Sequence, residues 1–166
     1  MLEPLMQDAL NKQFNWEQTA SQEYLAMAAW FEGMSLRGFA SFMRKQADEE
    51  REHAMRLFDH ISNRGGEVAV AAIQQPRTDY GSPKGVFEAA FAREQSNTRS
   101  IHELYRLAQD NNDYPTQTML HWFIDEQVEE EQWCEEARHL LEMVGDNKSA
   151  LLMLDNRYGK MALESD

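Results

Sequence analysis

Residues 39–61 read FASFMRKQADEEREHAMRLFDHI. With Leu36 just ahead of it, Phe39, Met43, Ala47, Leu57 and Ile61 recur at the three- and four-residue steps of one helix face, so this stripe is predicted to pack inward. Glu50 and His53 interrupt it at its middle, one turn apart on the same face. Apolar residues on both sides commit these two side chains to the interior. Three other segments repeat the pattern. Leu10 and Phe14 lead to Glu17, after which Ala20, Tyr24, Ala28 and Phe31 resume the face. Phe87 and Phe91 precede Glu94, and Thr98, Ile101 and Tyr105 follow. Met119 and Phe123 lead to Gln127 and Glu130, then Cys134, Ala137, Leu141 and Val144. In a bundle of helices of similar length, mid-helix positions meet at one height whichever way each helix runs. Glu17, Glu50, His53, Glu94, Gln127 and Glu130 are therefore predicted to converge.

The punctuation between these segments sets the architecture. Gly65-Gly66, Ser82-Pro83, the stretch Asp110–Pro115 and Gly145 are its strongest marks, with a short turn between Gly33 and Gly38. Four long helices are predicted at about Leu5–Phe31, Leu36–Arg64, Pro83–Gln109 and Pro115–Val144, and a short fifth at about Ser149–Tyr158. The segment 66–81, with Val68, Val70, Ile73 and Pro76, reaches ~50 Å when extended, enough to return to the starting end of the bundle. The fold class is thus all-α: a four-helix bundle (about 5–144) with one long crossover between helices two and three, all within a single domain of 1–166.

Composition narrows the function classes. The 166 residues carry 29 Asp plus Glu against 16 Lys plus Arg, a formal net charge of −13, which repels phosphate backbones and argues against nucleic acid as a partner. The single cysteine, Cys134, forms no intrachain disulfide and is read as a small core residue. No segment approaches the ~20 apolar residues of a membrane span, and the N-terminus lacks the pattern of an export signal. The expectation is a cytoplasmic protein without a membrane partner, or an organellar one whose transit peptide has been removed. Trp16, Trp30, Trp122 and Trp133 are read as packing or interface residues, and His60, His102, His121 and His139 as residues of solvated or interface surfaces.

Burying four carboxylates together costs several kcal/mol for each unpaired ion unless positive charge sits among them. No Lys or Arg interrupts the stripes. A pair of multivalent metal ions meets the requirement, bridged by carboxylates and capped by His53, and hard oxygen donors with one imidazole and no thiolate suit iron or manganese better than structural zinc. The E-x-x-H at Glu50–His53 is weak evidence alone; Glu17, Glu94 and Glu130 at matched depth give it weight. Two alternatives stay open at this point: a soluble di-iron oxidase or oxygenase with an organic substrate, and a metal-free helical interaction module.

On these residues the chain resembles the bacterial-type non-haem ferritins over essentially its whole length. The resemblance implies that Glu17, Glu50 and His53 hold a first iron, that Glu50, Glu94 and Glu130 hold a second, and that Gln127 walls the second. The run Glu126–Glu130, with Glu49, is similar to the extra iron site of prokaryotic ferritins, which implies a third iron near Glu49, Glu126 and Glu129. Tyr24 shares the Glu17 face two turns on; the resemblance gives it a role as electron donor or ligand orienter, beside the plainer reading of a core tyrosine. The implied activity is a ferroxidase that oxidises Fe(II) to Fe(III) with O2 or H2O2 and stores it as mineral inside a homo-oligomer, a twenty-four-subunit shell. Acidic rings admitting Fe(II) would draw on residues between Asp110 and Glu131. Two departures separate the chain from bacterioferritins: Glu130 stands where a second E-x-x-H would place histidine, and Glu52 where a haem-ligating methionine would stand, so haem is not expected.

Overall fold

The computed structural model describes residues 1–164. It contains α1 (Pro4–Gly33), α2 (Arg37–Asn63), α3 (Pro83–Asp110), α4 (Tyr114–Val144) and α5 (Lys148–Met161). Three of the helices, α3, α4 and α5, start at a residue whose own side chain caps them. The Ser82 hydroxyl accepts from Gly85 N at 3.0 Å with Pro83 next in line, and Asp113 and Asn147 do the same for Thr116 N and Ala150 N.

Three helix ends share one stop. Gly65 takes φ +73° while Gly66 N donates to Ile61 O at 2.9 Å and Gly65 N to Ser62 O at 3.0 Å, a left-handed residue closing two orphan carbonyls. The same pair of bonds ends α1 around Ser35 (φ +59°) and α3 around Asn112 (φ +53°). The turn expected between Gly33 and Gly38 therefore uses neither glycine at its left-handed position: Ser35 takes it, and Gly38 lies inside α2.

Gly38 has a different task. A Cβ built there would lie 1.8 Å from the Asp155 carbonyl oxygen, and one built at Gly159 of α5 would lie 3.0 Å from the Gly38 Cα. With α5 seated this tightly across the start of α2, the Asp155 carboxylate accepts from Phe39 N at 2.8 Å and caps α2 in trans. Gly38→Ala is expected to force the two helices apart at a cost of about 3 kcal/mol, read as a lowered denaturation midpoint with weakened protection of α5 amides from hydrogen exchange.

Hydrogen bonds fix the topology. Gln13, Glu17 and Tyr24 of α1 bond Ser100, Asn97 and Glu94 of α3, in descending order, so the two helices run in opposite directions. Since the short turn makes α1 and α2 antiparallel, α2 and α3 are parallel, as the long crossover predicts. That crossover is clamped to α1 by side-chain amides. Glu67 N donates to Gln7 Oε1; Asn11 donates to Glu67 O and accepts from Ala69 N; Asn15 donates to Ala69 O and accepts from Ala71 N, all at 2.8–2.9 Å. Four helical residues rise ~6 Å and two extended residues ~6.6 Å, so amides spaced four apart meet every second residue of the extended chain.

The core is split in two. Phe31, Phe39, Met43, Phe87, Ala137 and Tyr158 belong to one apolar cluster, and Leu10, Phe14, Leu57, Ile61, Ile101 and Phe123 to another. Buried polar residues from the middle of all four long helices lie between them.

Candidate metal centre

Glu17, Glu50, His53, Glu94, Gln127 and Glu130 are all buried, each at 3% exposure or less, which places every one of the converging residues in the interior. From Phe87 in α3 and Leu120 in α4 the buried positions step by three and four alternately: Phe87, Ala90, Glu94, Asn97, Ile101, Leu104 and Ala108, then Leu120, Phe123, Gln127, Glu130, Cys134, Ala137 and Leu141. This is the 3.5-residue repeat of helices that coil about one another. It corrects the predicted stripe at Phe91, Thr98, Tyr105, Met119 and Val144, which sit half-buried on its flank.

Candidate ligand atoms gather into three groups, each with atoms within 4.8 Å of one another: Glu17, Glu50 and His53; Glu50, Glu94 and Glu130; and His53, Glu126 and Glu130. Glu50 is common to the first two. The carboxylates differ in how the protein holds them. Glu17 accepts from Gln13 Nε2 at 2.6 Å and from Asn97 Nδ2 at 3.3 Å, one bond to each oxygen. Glu94 accepts from the Tyr24 hydroxyl on one oxygen and from Gln127 Nε2 at 3.3 Å on the other. Glu130 accepts from Trp133 Nε1 at 2.5 Å. Neither oxygen of Glu50 has a hydrogen-bond donor among the described residues, nor does His53 Nδ1 have a partner. That nitrogen lies 3.6 Å from Glu50 Oε2. A buried carboxylate and imidazole left bare at the centre of three donor-held carboxylates fit a site shaped for cations.

The electrostatics agree. Burial, then the negative charges of Glu94, Glu17 and Glu130, push Glu50 well above the usual carboxylate range. Burial raises Glu17 and Glu130 in the same direction and lifts Glu94 to about 7. His53 is lowered to about 4, by burial and then by the Arg56 charge, which leaves its ring neutral and able to coordinate. The Arg93 guanidinium, bound to Glu23 at 2.5 Å, offsets the burial of Glu17 and Glu94 only in part. Carboxylates so reluctant to ionise are stabilised by multivalent cations.

The remaining residues singled out from the sequence are placed unequally. Tyr24 is fully buried; burial and then the Glu94 charge raise its hydroxyl well above the usual value. Glu49, Glu126 and Glu129 line one open cavity of about 550 Å³ with Glu130, Gln46 and Trp133. Of these three only Glu126 joins a close group, through His53 and Glu130; Glu49 and Glu129 join none among the described residues. Two tryptophans do more than pack: besides Trp133 on Glu130, the Trp122 ring lies 5.1 Å from that of His53 with Arg56 stacked 3.8 Å above it. His60 is half-buried rather than on the surface, its Nε2 2.9 Å from Thr116 Oγ1 at the end of the bundle. Gln13 and Asn97, both buried polar residues, are not visible as site residues in the sequence reading; the one available signal is their position, four residues before Glu17 and three after Glu94.

Residues 7–144 match the family described as Ferritin-like domain. The chain is 36% identical to the bacterial non-heme ferritin of Staphylococcus aureus over 166 residues, the full length of both chains. It is 40% identical to that of Staphylococcus saprophyticus over 155 residues, 93% of each. Among solved structures, the open pore ferritin of the archaeon Archaeoglobus fulgidus superposes with a TM-score of 0.95 at 38% identity, covering 96% of this chain and 98% of the other.

Proposed function

The chain belongs to the ferritin family, and from that premise we propose that its buried carboxylate layer takes up Fe(II) in pairs, oxidises it and passes Fe(III) to a stored mineral. The observation that carries this reading is Glu50, shared by two ligand groups with no donor to either oxygen among the described residues. Glu17, Glu50 and His53 would hold one ion and Glu50, Glu94 and Glu130 the other, so that Glu50 bridges. The iron is substrate here, arriving as Fe(II) and leaving as Fe(III).

In the reaction each Fe(II) gives up one electron, and dioxygen takes both together with two protons to leave as hydrogen peroxide; peroxide as oxidant takes two electrons and two protons to leave as water. The chain's part is to hold two cations at bridging distance, to compensate their rising charge and to keep bulk water away. Donor-held Glu17, Glu94 and Glu130 supply fixed negative charge, while Glu50 is free to change its mode of contact as that charge grows. Tyr24 orients Glu94 through its hydroxyl. The acidic cavity of Glu49, Glu126 and Glu129 would receive a third iron beside the pair, and copies of the chain would close a twenty-four-subunit shell around the mineral.

Adding Fe(II) to the purified protein in air tests the reading, with a transient visible absorbance band and the iron retained on gel filtration as readouts. Many irons per chain in a large assembly is the expected result. Two irons per chain with turnover of an organic compound would instead indicate an oxygenase, and no retained iron a structural bundle.

A further inference from the structure

A continuous hydrogen-bond chain crosses the bundle beneath the carboxylates. It starts at a surface cavity of about 260 Å³ that Lys12, Gln13, Trp16 and Ser100 help to line. Ser100 Oγ donates to Gln13 Oε1 at 2.6 Å. Gln13 Nε2 donates to Glu17 Oε1 at 2.6 Å and to Asn97 Oδ1 at 2.7 Å. Asn97 Nδ2 donates to Glu17 Oε2 at 3.3 Å and to Gln127 Oε1 at 3.2 Å. Gln127 Nε2 then reaches Glu94 O at 3.2 Å, Glu94 Oε2 at 3.3 Å and Thr98 Oγ1 at 3.2 Å, and Thr98 donates to Glu131 at 2.5 Å.

The direction of this chain is determined by its neighbours. Ionised, as they must be to hold a cation, Glu17 and Glu94 accept only, so the amide nitrogens of Gln13, Asn97 and Gln127 must face them, and each amide oxygen is left to accept from the group before it. No single amide can turn over without setting oxygen against oxygen. Asn97 is the junction, because its one NH2 group serves Glu17 on one side and Gln127, hence Glu94, on the other. It is 2% exposed, so water does not substitute for it.

We infer that Asn97 is a positioning residue for both iron positions, holding Glu17 of the first ligand group and Glu94 of the second in one frame so that two cations bind as a pair. The inference rests on the proposed paired site and deepens it. Asn97 touches neither cation; it acts through the carboxylates, as outer partners of metal ligands do elsewhere.

The test is Mn(II) titration of the iron-free assembled protein, followed by calorimetry and by electron paramagnetic resonance, which separates spin-coupled pairs from isolated ions. The wild-type protein is expected to give pair signals from low loading. Asn97→Leu keeps the volume but removes the donor; it is expected to weaken binding by about ten- to a hundred-fold and to shift the spectrum to isolated ions. Asn97→Asp, which keeps the shape and reverses the donor, is expected to act in the same direction and stands in should the leucine variant fail to assemble. Gln13→Leu, which removes one donor to Glu17 and the bond to Asn97 Oδ1 but leaves the bonds from Gln127 to Glu94 in place, is expected to weaken the Glu17 position more than the Glu94 position. Asn97 variants that assemble and still give wild-type pair spectra overturn the inference while leaving the proposed function standing. A wild-type protein with no pairs overturns the proposed site itself.

Discussion

Replacing Glu50 by Gln is expected to lower the initial rate of Fe(II) oxidation by about two to three orders of magnitude while raising the melting temperature of the metal-free protein. Both effects have one cause. Glu50 is a member of two ligand groups, so its loss removes the shared oxygen donor from both cations at once. In the metal-free state the same carboxylate is buried against Glu94, Glu17 and Glu130 with no donor to either oxygen among the described residues, so the folded chain must keep it protonated where the unfolded chain ionises it, a cost that the neutral glutamine avoids. Glutamine keeps the shape and brings a donor that the neighbouring carboxylates can accept. Stopped-flow absorbance after mixing with Fe(II) in air measures the rate, and calorimetry of the metal-free protein measures the stability. A variant that oxidises iron within about three-fold of wild type would remove Glu50 from the bridging role.

The second large effect is an inverted pH dependence of stability. Glu94 titrates at about 7 in the folded chain against an ordinary 4.5, and Glu17, Glu50 and Glu130 are raised as well. Below 4.5 folded and unfolded chains both carry the proton. Above it the unfolded chain gives the proton up first, so stability is lost as pH rises and the loss is complete once the folded value is passed. For Glu94 alone the window from 4.5 to about 7 amounts to about 3 kcal/mol. His53, lowered from 6.5 to about 4, works the other way between those values, one group against four carboxylates. The metal-free protein is therefore expected to melt at a lower temperature at pH 8 than at pH 5.5. Loading with Mn(II) is expected to reverse the order, because the cations bind the ionised carboxylates and gain affinity as protons leave. Melting curves at the two pH values, with and without Mn(II), measure this. A metal-free protein that is most stable at pH 8 would mean that the four carboxylates are ionised and compensated by some other means.

The convergence of Glu17, Glu50, His53, Glu94, Gln127 and Glu130 into one layer is legible in the sequence because each breaks an otherwise apolar stripe. Asn97 is not, for a reason of geometry. It has polar neighbours on both sides, and a stripe drawn through α3 passes equally well through Thr98. An ideal helix drifts ~20° per heptad against the 3.5-residue repeat these helices follow, enough to exchange adjacent residues between the face and its flank. Gly38 misleads for a different reason: paired with Gly33 it reads as the bracket of a turn, whereas its missing side chain serves a neighbouring helix more than a hundred residues away in the chain. The parallel course of α2 and α3 follows from loop length alone. How the crossover is held does not, since its partners are amides on α1 and its own sequence carries no repeat.

Those amides make the long connection a measured length rather than slack. Gln7, Asn11 and Asn15 count off Glu67, Ala69 and Ala71 like teeth on a rack, and a rack advances only by whole teeth. One residue added ahead of Ala69 would present each amide with a backbone unit facing away, whereas two would restore the mesh one notch along. Changes in length should thus be absorbed after Ala71, where the toothed stretch ends and the chain runs on to Tyr80.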